Sequence, residues 1–433
     1  MTEAPLRKIL SLALPALVVL AAEPVYLLVD TAVVGHLGGT ALASLAIGGG
    51  VLAVAAWIGN VLAFGTTAKS SRLYGAGRRA EAVAEGVQSS WLALAAGVLL
   101  AVAAQFGAGP LARAMAGTGE IADGAETWLR IASLGAPGIL LALAGNGWMR
   151  GVQDTRRPVW YVLGANLLSA VLCPILVYPA GMGLTGSAVA NVIAQTLSGG
   201  LFVWALVAEK VPLAPHPGML LRQLTLSRDL VIRGFAFQAS FLSAAAVAAR
   251  FGAAALAAHQ IALQLWMFCA FVLDALAVAA QSLIGAELGA GREEVARRTA
   301  WRITRLGGYC GVAFGVVIAA SAWWLPDLFT GDQAVHQQAM IAWPWFVAMQ
   351  PIAGVVFALD GVLVGAGDIR YMRNMTIVAA LGGFLPVVWL AYVLDLGLGG
   401  VWAGLTVFMV VRLVALMARL MSGRWAVAGA VRA

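Results

Sequence analysis

Two carboxylates stand in a stretch that is otherwise strongly apolar, Glu23 and Asp30. Their seven-residue spacing, at about 100° per residue, sets both on one helix face, roughly 10 Å apart along the axis. Tyr26 shares that face one turn before Asp30. An acid at the centre of a membrane helix costs about 2.5–3.5 kcal/mol, so the pair calls for a reason. Carboxyl groups desolvated at such depth can cycle protons near neutral pH or hold a cation. Proton or cation coupling is the chemistry this spacing suggests; a structural acid bonded within a helix bundle is the plainer alternative. Pro15 and Pro24 lie in the same stretch. Each removes an amide that would bond the carbonyl four residues back, at Ser11 and Leu20, which predicts a helix able to hinge.

Further polar side chains sit inside apolar runs. In the N-terminal half they are Asn60, Asn146, Asn166, Ser169, Asn191 and Gln195. In the C-terminal half they are His259, Gln260, Gln264, Asp274, Gln281 and Asp360. Such groups either bond neighbouring helices or line a cavity, and His259 reads as a satisfied bundle histidine. Cys173, Cys269 and Cys310 are far apart, show no metal-ligand spacing, and read as buried thiols that pack as small hydrophobes. The Gly-x-Gly pieces at 75–77, 289–291 and 365–367 lack the Lys-Ser/Thr of a phosphate loop and suit helix ends instead. No nucleophile elbow or zinc-protease motif occurs. No enzyme activity, metal or cofactor is expected.

The elements that carry these residues follow from composition. Of 433 residues, 61% are hydrophobic and 11% charged, against roughly 45–50% and about 25% in a soluble domain. Lipid must therefore be the solvent. Apolar runs of about 20 residues fall near 9–35, 43–68, 86–108, 124–148, 158–179 and 185–208. A second set falls near 229–250, 256–283, 303–325, 338–363, 374–394 and 398–419. The first run is longer than a signal-peptide core, carries acids, and reads as a retained helix. With both termini cytoplasmic, all of the 27 Lys and Arg except Arg113, Arg130 and Arg250 fall on the inner side. This is the positive-inside pattern and predicts an N-in, C-in protein of the plasma (bacterial inner) membrane. The +7 net charge belongs to those loops, so no nucleic-acid partner is expected; membrane lipids are.

An offset of 214 residues exposes a duplication. Gly75-Ala76-Gly77-Arg78 falls on Gly289-Ala290-Gly291-Arg292, Pro137 on Pro351, and Gly151, Asp154 and Arg156 on Gly365, Asp368 and Arg370. Asn60 meets Asp274 and Asn146 meets Asp360, but Glu23 meets Phe237 and Asp30 meets Ala244. Six spans per half give parallel halves. The predicted fold is an all-α polytopic membrane protein, two six-helix lobes related by a pseudo-twofold axis along the membrane normal, with a cavity between them. The lobes are 1–208 and 229–433. The Pro-rich stretch 209–228 reads as a cytoplasmic spacer on which they rock.

The run Leu28-Val29-Asp30-Thr31-Ala32-Val33-Val34-Gly35-His36-Leu37-Gly38 resembles the first helix of the MATE (multidrug and toxic compound extrusion) family, in its DinF-like branch. Ala258-His259-Gln260, the run from Leu359-Asp360-Gly361 to Gly365-Ala366-Gly367-Asp368, and the Gly-Leu-Thr-Gly and Gly-Leu-Gly-Gly starts of spans six and twelve fit the same family. The resemblance spans nearly the whole chain. It implies a two-lobe antiporter that exports amphipathic, often cationic compounds against H⁺ or Na⁺, with Asp30 as coupling residue and Pro15 as the helix-bending proline. The family's tyrosine one turn before the acid maps onto Tyr26, and its asparagine entering the fifth span onto Asn166. Against better-known prokaryotic members, Ser169 stands for an asparagine and Cys173 for an aspartate. Loss of a hard oxygen ligand favours H⁺ over Na⁺, with Glu23 a substitute carboxyl.

The expectation is a secondary antiporter, functional as a monomer, in which protonation of Asp30 bends the first helix and displaces substrate outward. A lipid-linked-precursor flippase would want a cationic cavity, and only Arg250 reads as basic at depth. A non-transporting receptor or scaffold is the reading from a different class.

Overall fold

The computed structural model describes residues 4–430; the first and last three positions, Arg432 among them, lie outside the described residues. Twelve helices are long and apolar enough to cross a membrane. They are α1 (Leu6–Gly35), α2 (Gly39–Gly75), α3 (Arg79–Ala116), α4 (Glu120–Gly151), α5 (Arg156–Val177), α6 (Leu184–Ala208), α7 (Pro217–Arg250), α8 (Ala253–Gly289), α9 (Glu293–Ala320), α10 (Gln333–Gly365), α11 (Ile369–Val393) and α12 (Gly397–Ser422). No strand occurs among the described residues. In hydrocarbon each amide must find its acceptor within the protein, and a continuous helix does this locally.

All twelve expected spans are present, and several run further than hydropathy marks them. Hydropathy reports only apolar turns, whereas a helix continues into water when its polar turns are supported. Lys69 pairs with Glu85 at 3.6 Å where α2 and α3 leave the apolar zone, and Arg78 pairs with Glu81 on the first turn of α3. The largest extension is at α7, which begins at Pro217 rather than near 229. The spacer expected over 209–228 is therefore short, since only 209–216 lies outside helices. It is also tied down. The Trp91 indole donates to the Leu213 carbonyl, Gln88 bonds the Ala214 carbonyl and the His216 amide, and Arg79 pairs with Glu209.

The duplication is written into the backbone. α2 and α8 begin and end 214 residues apart. Gly38 and Gly252 both take positive φ, as do Gly77 and Gly291, Gly183 and Gly397, and the pair Gln153 and Gly367. Close crossings repeat too. A Cβ on Gly147 would stand 2.7 Å from the Ala63 carbonyl, and one on Gly361 would stand 2.6 Å from the Cα of Ala277. Only glycine lets α4 lie that near α2, and α10 that near α8, without displacing backbone.

The chain divides into two compact units, Leu14–Ser227 and Met1–Ala13 with Arg228–Ala433. Relative to the lobes expected at 1–208 and 229–433, the start of α1 is grouped with the C-terminal helices and 209–227 with the N-terminal ones. In the first unit Gln223 is buried and donates to Thr66, which bonds Ser89. In the second, the Ala4 amide bonds Thr299, and the amides of Ala428 and Gly429 bond Glu293 and the Leu288 carbonyl. Both crossings of this division fall inside helices, the first one residue before Pro15, and α1 is helical through both of its prolines.

Candidate functional site

The face of α1 that carries the two acids forms one wall of a cavity of about 370 Å³ within the N-terminal unit. Glu23, Tyr26 and Asp30 all line it. Asn191 and Gln195 close it from α6, Trp128 and Ile139 from α4, and small residues of α2 from the remaining side. Those small residues make the space: a Cβ on Gly49 or Gly50 would meet nothing within 4 Å. Gly48 works oppositely, letting Trp128 pack so close that a Cβ there would stand 2.5 Å from the indole.

Asp30 is 2% exposed, at the junction of the cavity and α5. The Cys173 thiol donates to its Oδ1 at 3.1 Å, and the Ser187 hydroxyl stands beside the same carboxyl. Ser187 is itself held by the Trp128 indole, which donates to it at 3.2 Å. Above Asp30 on the same face, the Tyr26 hydroxyl accepts from Asn191 at 3.2 Å. No basic side chain pairs with Asp30 or Glu23 among the described residues. Glu23 faces the open space of the cavity and has no hydrogen-bond partner among the described residues. The two carboxyls are the only ionisable acids or bases other than Tyr26 on the wall among the described residues, so the cavity sets two acids between apolar sides.

Of the other N-terminal candidates, Ser169 is buried beside the Tyr26 hydroxyl. Asn166 lies on the opposite side of α1, in a second cavity of about 490 Å³ shared with Tyr26. Asn60 and Asn146 lie away from both; Asn146 is buried in α4 with its carbonyl oxygen unpartnered.

The C-terminal candidates do not converge. His259 is fully buried with its ring 5.7 Å from that of Trp402, and both ring nitrogens lack partners, so it is not the satisfied histidine expected. Gln260 is exposed on α8, and Asp274 is half-buried on the same helix. Asp360 is bound by two arginines, Arg233 at 2.5 Å and Arg412 at 2.6 Å, both through Oδ2.

One sequence reading gains contacts here and another is corrected. Charge placement counts Arg233 and Arg412 with the cytoplasmic ends, and the structure adds that Arg412 is 2% exposed and that both stack on the Phe237 ring, at 5.2 and 4.5 Å. The sequence carries a signal for this, since each interrupts an apolar run, Leu230-Val231-Ile232 and Val410-Val411. Phe237 is the counterpart of Glu23, so the repeat carries a guanidinium pair where the first lobe carries an acid. Cys173, read as a packing thiol, is the hydrogen-bond donor to Asp30. That contact joins residues 143 positions apart, and only folding reveals it.

Comparison with known proteins gives the family and the fold. The MatE family model matches twice, over residues 15–175 and 230–390, once in each half. The protein DETOXIFICATION 44, chloroplastic, of Arabidopsis thaliana is 33% identical over 424 residues, covering 94% of this chain and 81% of that protein. The DNA damage-inducible protein F of Escherichia coli (strain K12) is 32% identical over 415 residues, covering 93% and 89%. A crystal structure of MATE in the bent conformation superposes with a TM-score of 0.87 at 22% identity, covering 96% of this chain and 94% of that one, a likeness of fold. A family model matched in both halves, and relatives above 30% identity over nearly the full length, place the chain in the MATE family of membrane transporters rather than among enzymes.

Proposed function

We propose that the chain is a proton-coupled antiporter that exports amphipathic organic cations, with Asp30 as the coupling residue. The observation that carries this reading is the buried Asp30 carboxyl on the wall of an otherwise apolar cavity, bonded by a thiol and faced by no basic group among the described residues. An isolated carboxylate out of water is costly unless something neutralises it. A proton does so, and so does a cationic substrate in the cavity; competition between the two is the exchange an antiporter needs. Apolar walls suit the body of an amphipathic substrate, while Glu23 offers a second anionic point.

Sulfur beside Asp30 supports H⁺ over Na⁺, because alkali cations are held by oxygen and poorly by thiol. Protonation of Asp30 removes the charge that the Cys173 thiol and Ser187 address. Tyr26 and Asp30 ride on one helix face, so a change at the carboxyl reaches the Tyr26–Asn191 bond within a turn. Pro15 and Pro24 supply the places where α1 bends as the cavity opens alternately to the two sides of the membrane. One pH unit supplies about 1.4 kcal/mol per proton and 100 mV about 2.3 per charge. Together these exceed the roughly 2.7 kcal/mol of a hundredfold gradient of a neutral substrate. One-for-one exchange with a monovalent cation moves no net charge, so the same gradient then takes about two pH units or a second proton. The same reading takes the protein as a monomer in the bacterial inner membrane, termini in the cytoplasm.

The test is efflux of a fluorescent organic cation in everted vesicles, with H⁺ and Na⁺ gradients imposed separately. Export driven by the H⁺ gradient alone, and lost in Asp30→Asn, is the expected outcome. Normal pH-dependent export by Asp30→Asn would overturn the assignment of Asp30, and export driven by Na⁺ alone would overturn the choice of ion.

A further inference from the structure

Arg250 closes α7 beside a pocket of about 250 Å³ formed with the end of α11, lined by Ser243, Ala246, Val247, Val388, Trp389 and Tyr392. It belongs to the smaller set of three basic residues that charge placement assigns to the non-cytoplasmic side. The other two share a carboxylate partner: Arg113 and Arg130 both pair with Glu126, at 3.5 and 2.7 Å. Arg250 pairs with no carboxylate and makes no hydrogen bond among the described residues. Capping the helix does not occupy it either, because the last carbonyls of α7, at Ala248 and Ala249, already accept from the amides of Phe251 and Gly252.

The repeat supplies a control. Shifted by 214, Arg250 falls on His36, Tyr392 on Tyr178 and Ser243 on Val29. In the N-terminal unit that corner is satisfied internally: His36 Nδ1 lies 2.7 Å from the Ala32 carbonyl, and the Tyr178 hydroxyl donates to the Val33 carbonyl at 2.6 Å. In the C-terminal unit, the Arg250 guanidinium, the Tyr392 and Ser243 hydroxyls and the Trp389 indole N–H all lack a hydrogen-bond partner among the described residues. Trp389 and Tyr392 instead set their rings edge to face, 6.1 Å apart. A guanidinium and an indole are donors only, and hydroxyls can donate. The pocket thus gathers donors and one positive charge over a floor of Ala246, Val247 and Val388.

We infer that this pocket binds the phosphate of an anionic phospholipid, with Arg250 on the phosphate and the acyl chain along the apolar floor. An oxyanion accepts from all four donors, and a guanidinium–phosphate contact is among the stronger hydrogen bonds. A lipid suits the pocket better than free phosphate because most of its wall is apolar, and because an aromatic pair with a polar edge is the side-chain type that settles at headgroup level.

The full-length protein in detergent, titrated with brominated-chain phosphatidylglycerol, tests the inference. Subtracting the signal of Trp389→Phe isolates quenching of that indole. Saturable quenching is expected, with the half-saturating lipid concentration raised about tenfold in Arg250→Ala, less in Tyr392→Phe, and least in Arg250→Lys. The unfolding midpoint of lipid-free Arg250→Ala should match the wild type, since the side chain is exposed and unpaired. Equal quenching curves for wild type and Arg250→Ala would overturn the site. Equal quenching by brominated phosphatidylcholine would overturn the anionic headgroup, and displacement by glycerol 3-phosphate at matching concentration would show free phosphate as the ligand and overturn the lipid.

Discussion

Cys173 touches Asp30 through sulfur, and at the scale of single residues the proposed choice of proton over Na⁺ rests on this contact. Replacing the thiol by a carboxylate puts hard oxygen where sulfur now stands, 3.1 Å from Asp30. Two carboxylates at that distance repel unless a cation lies between them. Cys173→Asp is therefore expected to acquire export driven by an imposed Na⁺ gradient alone, read in everted vesicles, whereas Cys173→Ser keeps a donor and stays proton-driven. Glu23 has a different part, since it faces open cavity space without a partner among the described residues. Glu23→Gln keeps the shape and removes the charge. The expected outcome is a half-saturating concentration of cationic substrate raised by about twofold to fivefold, with the maximal rate little changed, as for one exposed charge contact.

At the scale of elements, the C-terminal lobe is held by groups its twin lacks. Asp360 on α10 joins Arg233 on α7 and Arg412 on α12, and Phe237 lies beneath both guanidiniums. Removing the carboxylate leaves a buried guanidinium without its anion, which costs about 3–5 kcal/mol. Asp360→Asn should show a lowered unfolding midpoint, and Asp360→Asn with Arg412→Leu should regain part of it, because the unpaired charge has gone. Helix crossings give a sharper case. Gly354 and Gly307 pack backbone to backbone, so a methyl on Gly354 runs into the Gly307 carbonyl, and no flexible side chain can yield. Gly354→Ala is expected to destabilise by about 1–3 kcal/mol, again measured by thermal unfolding.

At the scale of the whole molecule, charge asymmetry and the even number of spans argue for both termini in the cytoplasm. Alkaline phosphatase fused after Gly117, beyond α3, should be active in intact cells, and fused after Gly77, between α2 and α3, inactive. The reverse pattern would invert the topology and move Arg250 to the cytoplasmic side. The acid-bearing cavity and the arginine-bearing lobe lie in two halves of one duplication, which diverged in charge while matched turns kept their conformation. Positive φ at Gly38 and Gly252, and at Gly77 and Gly291, survived at matched turns. The side chains at 23/237 and 30/244 did not.

The twelve spans, the duplication and the acid-bearing helix are all legible in the sequence. Each is a local property, either a run of apolar residues, a repeated turn or a spacing on one helix, and in a membrane such local rules are strict because no water rescues a misplaced polar group. The same rules leave the helix ends short, since polar turns beyond the lipid carry no hydropathy signal. They also leave undecided which polar residues meet. Asn191 and Gln195 reach the cavity of Asp30, Asn166 lies behind α1, and Asn60 and Asn146 stand elsewhere, although all five read alike along the chain. Arg412 reads only as one more charge toward the cytoplasmic end of the last span until α10 and α12 bring Asp360 to it. Cys173 reads as a packing residue until α5 lies against α1. The sequence by itself determined that Asp30 stands on a membrane helix and needs a reason. Tertiary structure decided the wall that carboxyl shares, the thiol that bonds it and the absence of a basic partner among the described residues, because these contacts join residues far apart in the chain and no period or motif records them.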